Sequence, residues 1–269
     1  MAFKFSDVHL EDYYTKGCVI FVGILPVTLI EDLRRSCLTA RDIARQNGGP
    51  QVQRLQPVAD YNIDQQPFKD YAELPELNDA ISRLLPSTHT HGNPDFLGVL
   101  VEPADWPYCT PWHRDWRDNV PGIDLVNWES VFTDPRLFNQ VNCALYDDSS
   151  TWIVPGSHLR HDLPREAIRF PDRPIVQPEL EGQDSAMRER ISLEYCRSMA
   201  GAVQLHLNSG DFALYRNTLW HMGNYVPYRQ RATLHDAVDT PEFAAWREAT
   251  RSEAARQQEE RIERLKTAK

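Results

Sequence analysis

The chain has 269 residues, with 29 Lys+Arg against 39 Asp+Glu, a formal net charge of −10 and 41% hydrophobic residues. That composition suits a globular chain with a sizeable core. The acid surplus argues against a general nucleic-acid or anionic-membrane binder, which needs clustered Lys and Arg.

No apolar run approaches the roughly 18 residues of a membrane span. The best stretch, Cys18 to Ile30, is short and broken by Pro26. The opening MAFKFSDVHLEDYY has no apolar signal region, so an uncleaved, cytoplasmic protein is expected. Cys18, Cys37, Cys109, Cys143 and Cys196 are odd in number and lack a CxxC, which argues against a disulfide framework or a Cys-based zinc site.

In chain order, Ser6 or Asp7 caps a short predicted helix through about Lys16. Cys18–Gly23 reads as a buried strand. A second helix is predicted from about Pro26 to Gln46, on the spacing of Leu29, Ile30, Leu33, Leu38 and Ile43, with Gly48 and Gly49 ending it. A third covers about Glu76–Leu85 and stops before Pro86, and Ser87–Pro94 is a loop by composition. Short β-like runs follow at Phe96–Glu102, Phe138–Tyr146, Thr151–Val154, Ala202–Leu207, Asp211–Tyr215 and Arg231–Val238. Turn signals separate them, so an antiparallel β-sandwich or barrel after a helical N-terminal third is expected. Pro241–Lys269 returns to helix with few apolar anchors, which predicts an exposed helix or frayed tail. No internal repeat or low-complexity linker divides residues 1–269, which read as one domain.

Among nine histidines, His113 stands out, because WHRDW places it two residues from Asp115. On an extended segment, positions i and i+2 face one side, so an imidazole and a carboxylate converge there. Two His and one carboxylate on one face of an octahedron leave three positions open, the pattern of non-haem Fe(II) oxygenases. The tripeptide alone is weak evidence, since it recurs at His9-Leu10-Glu11, where a helix start is expected. His89 and His91 also form an i, i+2 pair, but no carboxylate accompanies them.

Downstream context raises His113 and Asp115. Val154–His158 reads VPGSH, Gly210-Asp211 starts a strand that His221 is read as ending, Gly223-Asn224 turns the chain, and Arg231 opens another strand. The order HxD…PGSH…GD…H…R resembles the phytanoyl-CoA dioxygenase-like branch of the Fe(II)/2-oxoglutarate oxygenases, over roughly Asp12 to Ala237. The resemblance implies a mainly β fold with flanking α-helices. Its double-stranded β-helix (jelly-roll, cupin-like) core would span about 96–238, with N-terminal helical support and a helical tail over about 241–269. It also implies that His113, Asp115 and His221 hold Fe(II) as the catalytic centre. Arg231 would bind the distal carboxylate of 2-oxoglutarate, as a guanidinium fork suits a carboxylate. Many members place this arginine about eleven residues after the last His, whereas Arg231 lies ten after His221. Arg229 would face the same side of a strand, but it sits nearer the turn, so Arg231 is preferred.

Gln140 and Asn142 alternate on one predicted strand and are candidates to touch 2-oxoglutarate, or else form a satisfied polar pair inside the barrel. Trp112, Trp116 and Trp152 are candidate walls of a substrate pocket, with core packing as the competing role. His158 reads as a structural turn residue. Trp116–Asn139 and Leu159–Gly201 read as lid and specificity regions, the second with many arginines of mixed company.

The resemblance thus implies a hydroxylase (an oxidoreductase) that consumes 2-oxoglutarate and O2, releases succinate and CO2, and acts on a small molecule. Halogenases of the superfamily lack the carboxylate that Asp115 supplies. The alternatives are a catalytically idle β-barrel that binds metal or metabolite, and a nucleic-acid demethylase, which the net charge disfavours. No nucleic-acid or membrane partner is expected, and either a monomer or a homodimer fits the sequence.

Overall fold

The computed structural model describes residues 3–120, 123–164, 166 and 178–250. The chain opens with α1 (Asp7–Glu11), which runs into a π-helical turn over Asp12–Lys16. Gly17 ends that turn at φ 76°, and a Cβ there would collide with the His158 ring. Glycine therefore meets two demands at once, a left-handed backbone and close contact with the PGSH turn.

Strand β1 (Cys18–Phe21) is followed by α2 (Val27–Gly48). Pro26 precedes α2 in an extended conformation, and Gly49 terminates it at φ 81°. Leu29, Ile30, Leu33, Cys37, Ala40 and Ala44 form its buried stripe at helical spacing. After β2 (Arg54–Leu55) come α3 (Gln66–Ala72) and α4 (Pro75–Leu84), each with proline in its first turn. Strands β3 (Gly98–Val101) and β4 (Tyr108–Cys109), helix α5 (Leu125–Val131), and strands β5 (Asn139–Ala144) and β6 (Thr151–Ile153) follow. Then come α6 (Ser185–Ser198), β7 (Val203–Gln204), β8 (Phe212–Arg216), β9 (His221–Tyr225) and β10 (Ala232–Ala237). Residues 241–250 are helical and are called α7.

The strands form two antiparallel sheets, ordered β1-β8-β5-β10-β3-β2 and β4-β9-β6-β7. This is the jelly-roll arrangement expected from the sequence, with β1 and β2 of the N-terminal third joining the larger sheet. That sheet is covered on both faces, and strand alternation decides which residue faces where. Val141, Cys143, Phe212, Leu214 and Leu234 face α2–α4 and share one core with Leu33, Phe68 and Ile81. Burying a side chain such as Leu33 or Phe212 contributes about 1.5–3 kcal/mol. The alternate residues Gln140, Asn142, Tyr215 and His235 face the interior between the sheets, where a cavity lies.

The structure departs from the sequence reading in several places. Strand β8 ends at Arg216, and His221 opens β9 rather than closing β8. Gly223 and Asn224 lie within β9, not in a turn. Helices α3 and α5 were not anticipated, nor was α6, whose buried residues are only Ser192 and Cys196. The tail is not simply exposed. Phe243 and Trp246 of α7 are buried with Trp128, Phe132, Leu137 and Phe138, and Trp116 packs against them. Residues 251–269 of the expected tail lie outside the described part. All five cysteines are buried, and none is in a disulfide. Among the described residues, no helix is long and apolar enough to cross a membrane.

Candidate metal centre and active-site cavity

His113 lies just outside the regular strands, in an isolated antiparallel bridge with His221, the first residue of β9. Each backbone N–H donates to the other's carbonyl at 3.0 Å. The imidazoles then leave the same edge with ring centroids 4.2 Å apart. Two residues later the backbone turns, and Trp116 sits at φ 67°. Asp115 is fixed there by its N–H, which donates to the Asn217 carbonyl at 2.9 Å. The intervening Arg114 points the opposite way and is fully buried. Its guanidinium donates to the carbonyls of Ser157 (2.8 Å) and Thr218 (2.6 Å) and pairs with Asp162 at 3.0 Å. Arg114 therefore anchors the back of the loop whose front carries His113 and Asp115.

His113 Nε2 lies 3.4 Å from Asp115 Oδ1, and His221 Nε2 lies 3.7 Å from Asp115 Oδ2. One ligand atom from each of the three residues lies within 4.8 Å of the other two. The opposite ring nitrogens are engaged: His113 Nδ1 lies 2.8 Å from the Pro111 carbonyl and His221 Nδ1 lies 3.0 Å from the Leu219 carbonyl. A carbonyl accepts only, so each Nδ1 carries a hydrogen, and in the neutral ring each Nε2 presents its lone pair. The donor set fits a divalent transition metal held by two imidazoles and a carboxylate.

The three groups also set one another's charge. Burial would raise the Asp115 carboxyl, but His221 and His113 outweigh it and hold the group well below the usual carboxylate range. His221 is lowered to about 4, first by burial and then by the neighbouring His113. Burial also opposes charge on His113, but the Asp115 hydrogen bond prevails and raises its pKa. Asn119, which the sequence reading passed over, donates from Nδ2 to Asp115 Oδ1 at 2.6 Å. Its own Oδ1 accepts the Trp116 N–H at 2.7 Å.

The motifs downstream are structural supports. Ser157 of VPGSH accepts the Trp220 N–H on Oγ at 2.9 Å, fixing the residue before His221. His158 is buried against Gly17. Asp211 of the GD pair accepts the backbone N–H groups of Gly23 (2.7 Å) and Asn208 (2.8 Å).

A cavity of about 580 Å³ opens over the three side chains. Arg231 lines it and is buried, whereas Arg229 is exposed outside it and bonds the Ser149 hydroxyl. Arg231 Nε donates to Asp148 Oδ2 at 2.8 Å, Thr233 Oγ1 donates to the same oxygen at 2.7 Å, and Arg231 Nη1 is buried without a partner. Burial would raise the Asp148 carboxyl, but Arg231 lowers it to about 2. Gln140 and Asn142 line the cavity too, and both hold His235. Gln140 Nε2 lies 2.9 Å from His235 Nε2, and Asn142 Oδ1 lies 2.9 Å from His235 Nδ1. Burial first, then the Arg54 charge, lower His235 to about 3, so it is a neutral ring. Trp116 lines the cavity, but Trp112 and Trp152 do not. They pack with Trp220, Met222 and Cys196 beneath α6, which corrects their assignment to the pocket wall. Of the arginines in the 159–201 segment, Arg160 is bound by Glu166 at 2.7 Å, and Arg165, Arg169 and Arg173 lie outside the described residues.

No protein-family model matches the chain, and no curated protein matches it in sequence. Solved structures do match in fold. AviO1 from Streptomyces viridochromogenes is 17% identical with a TM-score of 0.56, covering 90% of this chain and 97% of that one. HygX from Streptomyces hygroscopicus, with nickel and 2-oxoglutarate bound, is 16% identical with a TM-score of 0.56, covering 88% of each chain. SnoK, a non-haem α-ketoglutarate-dependent carbocyclase from nogalamycin biosynthesis, is 16% identical with a TM-score of 0.54, covering 88% of this chain and 85% of that one. At these identities the likeness establishes the jelly-roll fold.

Proposed function

We propose that the protein is a non-haem Fe(II)/2-oxoglutarate-dependent oxygenase acting on a small molecule. The observation that carries this reading is the convergence of His113, Asp115 and His221, with both Nε2 lone pairs presented, at the base of the cavity that Arg231 lines. These three residues would hold the metal. Bound Fe(II) with 2-oxoglutarate and O2 supplies oxidation of a substrate C–H bond, coupled to loss of CO2 from the keto acid and formation of succinate.

The chain's own residues orient and shield. The carbonyls of Pro111 and Leu219 fix the imidazole tautomers, and Asn119 holds the Asp115 carboxylate. Arg231 offers its unpartnered Nη1 to the distal carboxylate of 2-oxoglutarate, while Asp148 and Thr233 fix its direction. Gln140 and Asn142 would meet the cosubstrate from the adjoining wall while holding the His235 ring in place. Leu100, Trp116, Val120 and Met222 supply apolar surface that limits water.

The order of HxD, PGSH, GD, His and Arg favours the phytanoyl-CoA dioxygenase-like branch, and the carboxylate of Asp115 favours hydroxylation. A ring closure or epimerisation by the same centre is the second reading, favoured by the likeness to SnoK and to the epimerase SnoN. Anaerobic calorimetry tests the assignment. One Fe(II) per chain is expected, with 2-oxoglutarate binding only after the metal. Equal 2-oxoglutarate affinity with and without metal would contradict it.

A further inference from the structure

The rim of the cavity carries a second, exposed arginine that the proposed chemistry does not use. Strand register places it. Thr233 of β10 pairs with Leu100 of β3, and Leu100 pairs with Arg54 of β2. Residues paired across neighbouring strands face one side, so Thr233, Leu100 and Arg54 share the cavity face. Arg54 and Gln56 both line the cavity, two residues apart on that face. Gly98 makes room for this arrangement, since a Cβ there would come within 2.9 Å of the Gln56 side chain.

The charge balance singles out Arg54. Asp115 faces the two histidines, and Asp118 is bound by Arg117 at 2.8 and 3.0 Å. Asp236 is buried and accepts the Gly92 N–H. Arg231 already has Asp148. Arg54 touches only amide oxygens, Gln56 Oε1 at 3.2 Å and Gln53 Oε1 at 3.4 Å, and among the described residues no carboxylate pairs with it. Its charge also helps to lower the pKa of His235, two strands away on the same sheet face.

We infer that Arg54 is a specificity residue that receives an oxyanion group, a carboxylate or a phosphate, on the primary substrate. This rests on the proposed function and names the substrate class. A guanidinium fork whose charge is not already neutralised is the group that discriminates an acid from its neutral amide, because charge-assisted pairs are about twice as strong as neutral ones. Arg231 is thereby left to the cosubstrate, and the two anions enter at separate cations.

The test uses anaerobic calorimetry on Fe(II)- and 2-oxoglutarate-loaded protein, with phenylacetate, phenyl phosphate and phenylacetamide as matched probes. At least one acid is expected to bind about tenfold tighter than the amide. The preference should vanish in Arg54→Gln, while the variant's 2-oxoglutarate affinity stays within about twofold. The better of the two acids identifies the oxyanion. The inference is overturned if the amide binds as well as both acids, if no probe binds, or if the preference survives in Arg54→Gln. A failure of the function itself is separable, since it shows before any probe is added, as protein that takes up no Fe(II) or 2-oxoglutarate.

Discussion

His113 and His221 exchange both backbone hydrogen bonds at 3.0 Å, so the two imidazoles are set by one strand register rather than by two independent loops. Replacing either ring by Ala removes a ligand atom but leaves this backbone pair intact. We expect His113→Ala and His221→Ala to lower iron retention at least 100-fold with an unchanged far-ultraviolet circular dichroism spectrum. Metal analysis after gel filtration checks it, and a variant that keeps one iron per chain would remove that residue from the ligand set.

Asn119 supports Asp115 through a 2.6 Å hydrogen bond. Loss of such a support typically costs about 10–100-fold in metal affinity. Asn119→Ala is expected to fall in that range by competition with a chelator, with thermal stability nearly unchanged. A variant that binds metal as tightly as the parent would show that the bond has no such role.

Arg231 and Arg229 lie two residues apart on opposite sides of the question. Arg231→Gln should weaken 2-oxoglutarate binding at least 30-fold, whereas Arg229→Gln should change it less than about threefold. Asp148→Asn adds a second readout. It leaves the buried Arg231 without its counter-charge, for which the expected loss of stability is about 3–5 kcal/mol in chemical denaturation. Reversed effects of the two arginine variants would exchange their roles.

Asp236 gives a pH dependence of known sign. Burial raises its carboxyl to about 7, against hydrogen bonds from Ala237 and Gly92 that lower it. The folded state therefore binds a proton that the unfolded chain releases near pH 4. The contribution is full below about pH 4 and is lost as pH rises through about 7. Asp236→Asn should gain roughly 2–4 kcal/mol on the parent between pH 5 and pH 8 in urea unfolding. Parallel pH profiles for the two proteins would contradict the buried carboxyl.

The spacing of His113 and Asp115 was legible because ligands two apart on an extended segment share a side, and an antiparallel sandwich or barrel was legible from short strands between turn signals, its jelly-roll form coming from the family resemblance. Asn119, Asn217 and His235 were not legible as parts of the site, because a turn and cross-strand register bring them there. The tryptophans show the limit from the other direction. Apolar character predicts burial for Trp112, Trp116 and Trp152 alike, but only topology puts Trp116 at the cavity and the other two beneath α6. Helix α6 escaped notice because its buried face is carried by Ser192 and Cys196, not by an apolar stripe. Strand β9 was misplaced because Gly223 and Asn224, ordinarily turn formers, are held in extended pairing with β6 and β4.

Succinate release tests the central claim most directly. Fe(II)-loaded protein supplied with 2-oxoglutarate, ascorbate and O2 is expected to form succinate and CO2 in equal amounts. The rate should rise when a substrate is present and fall to background in Asp115→Ala. Loaded parent protein that binds 2-oxoglutarate yet forms no succinate with a broad panel of small acids would contradict the account and favour an idle metabolite-binding barrel.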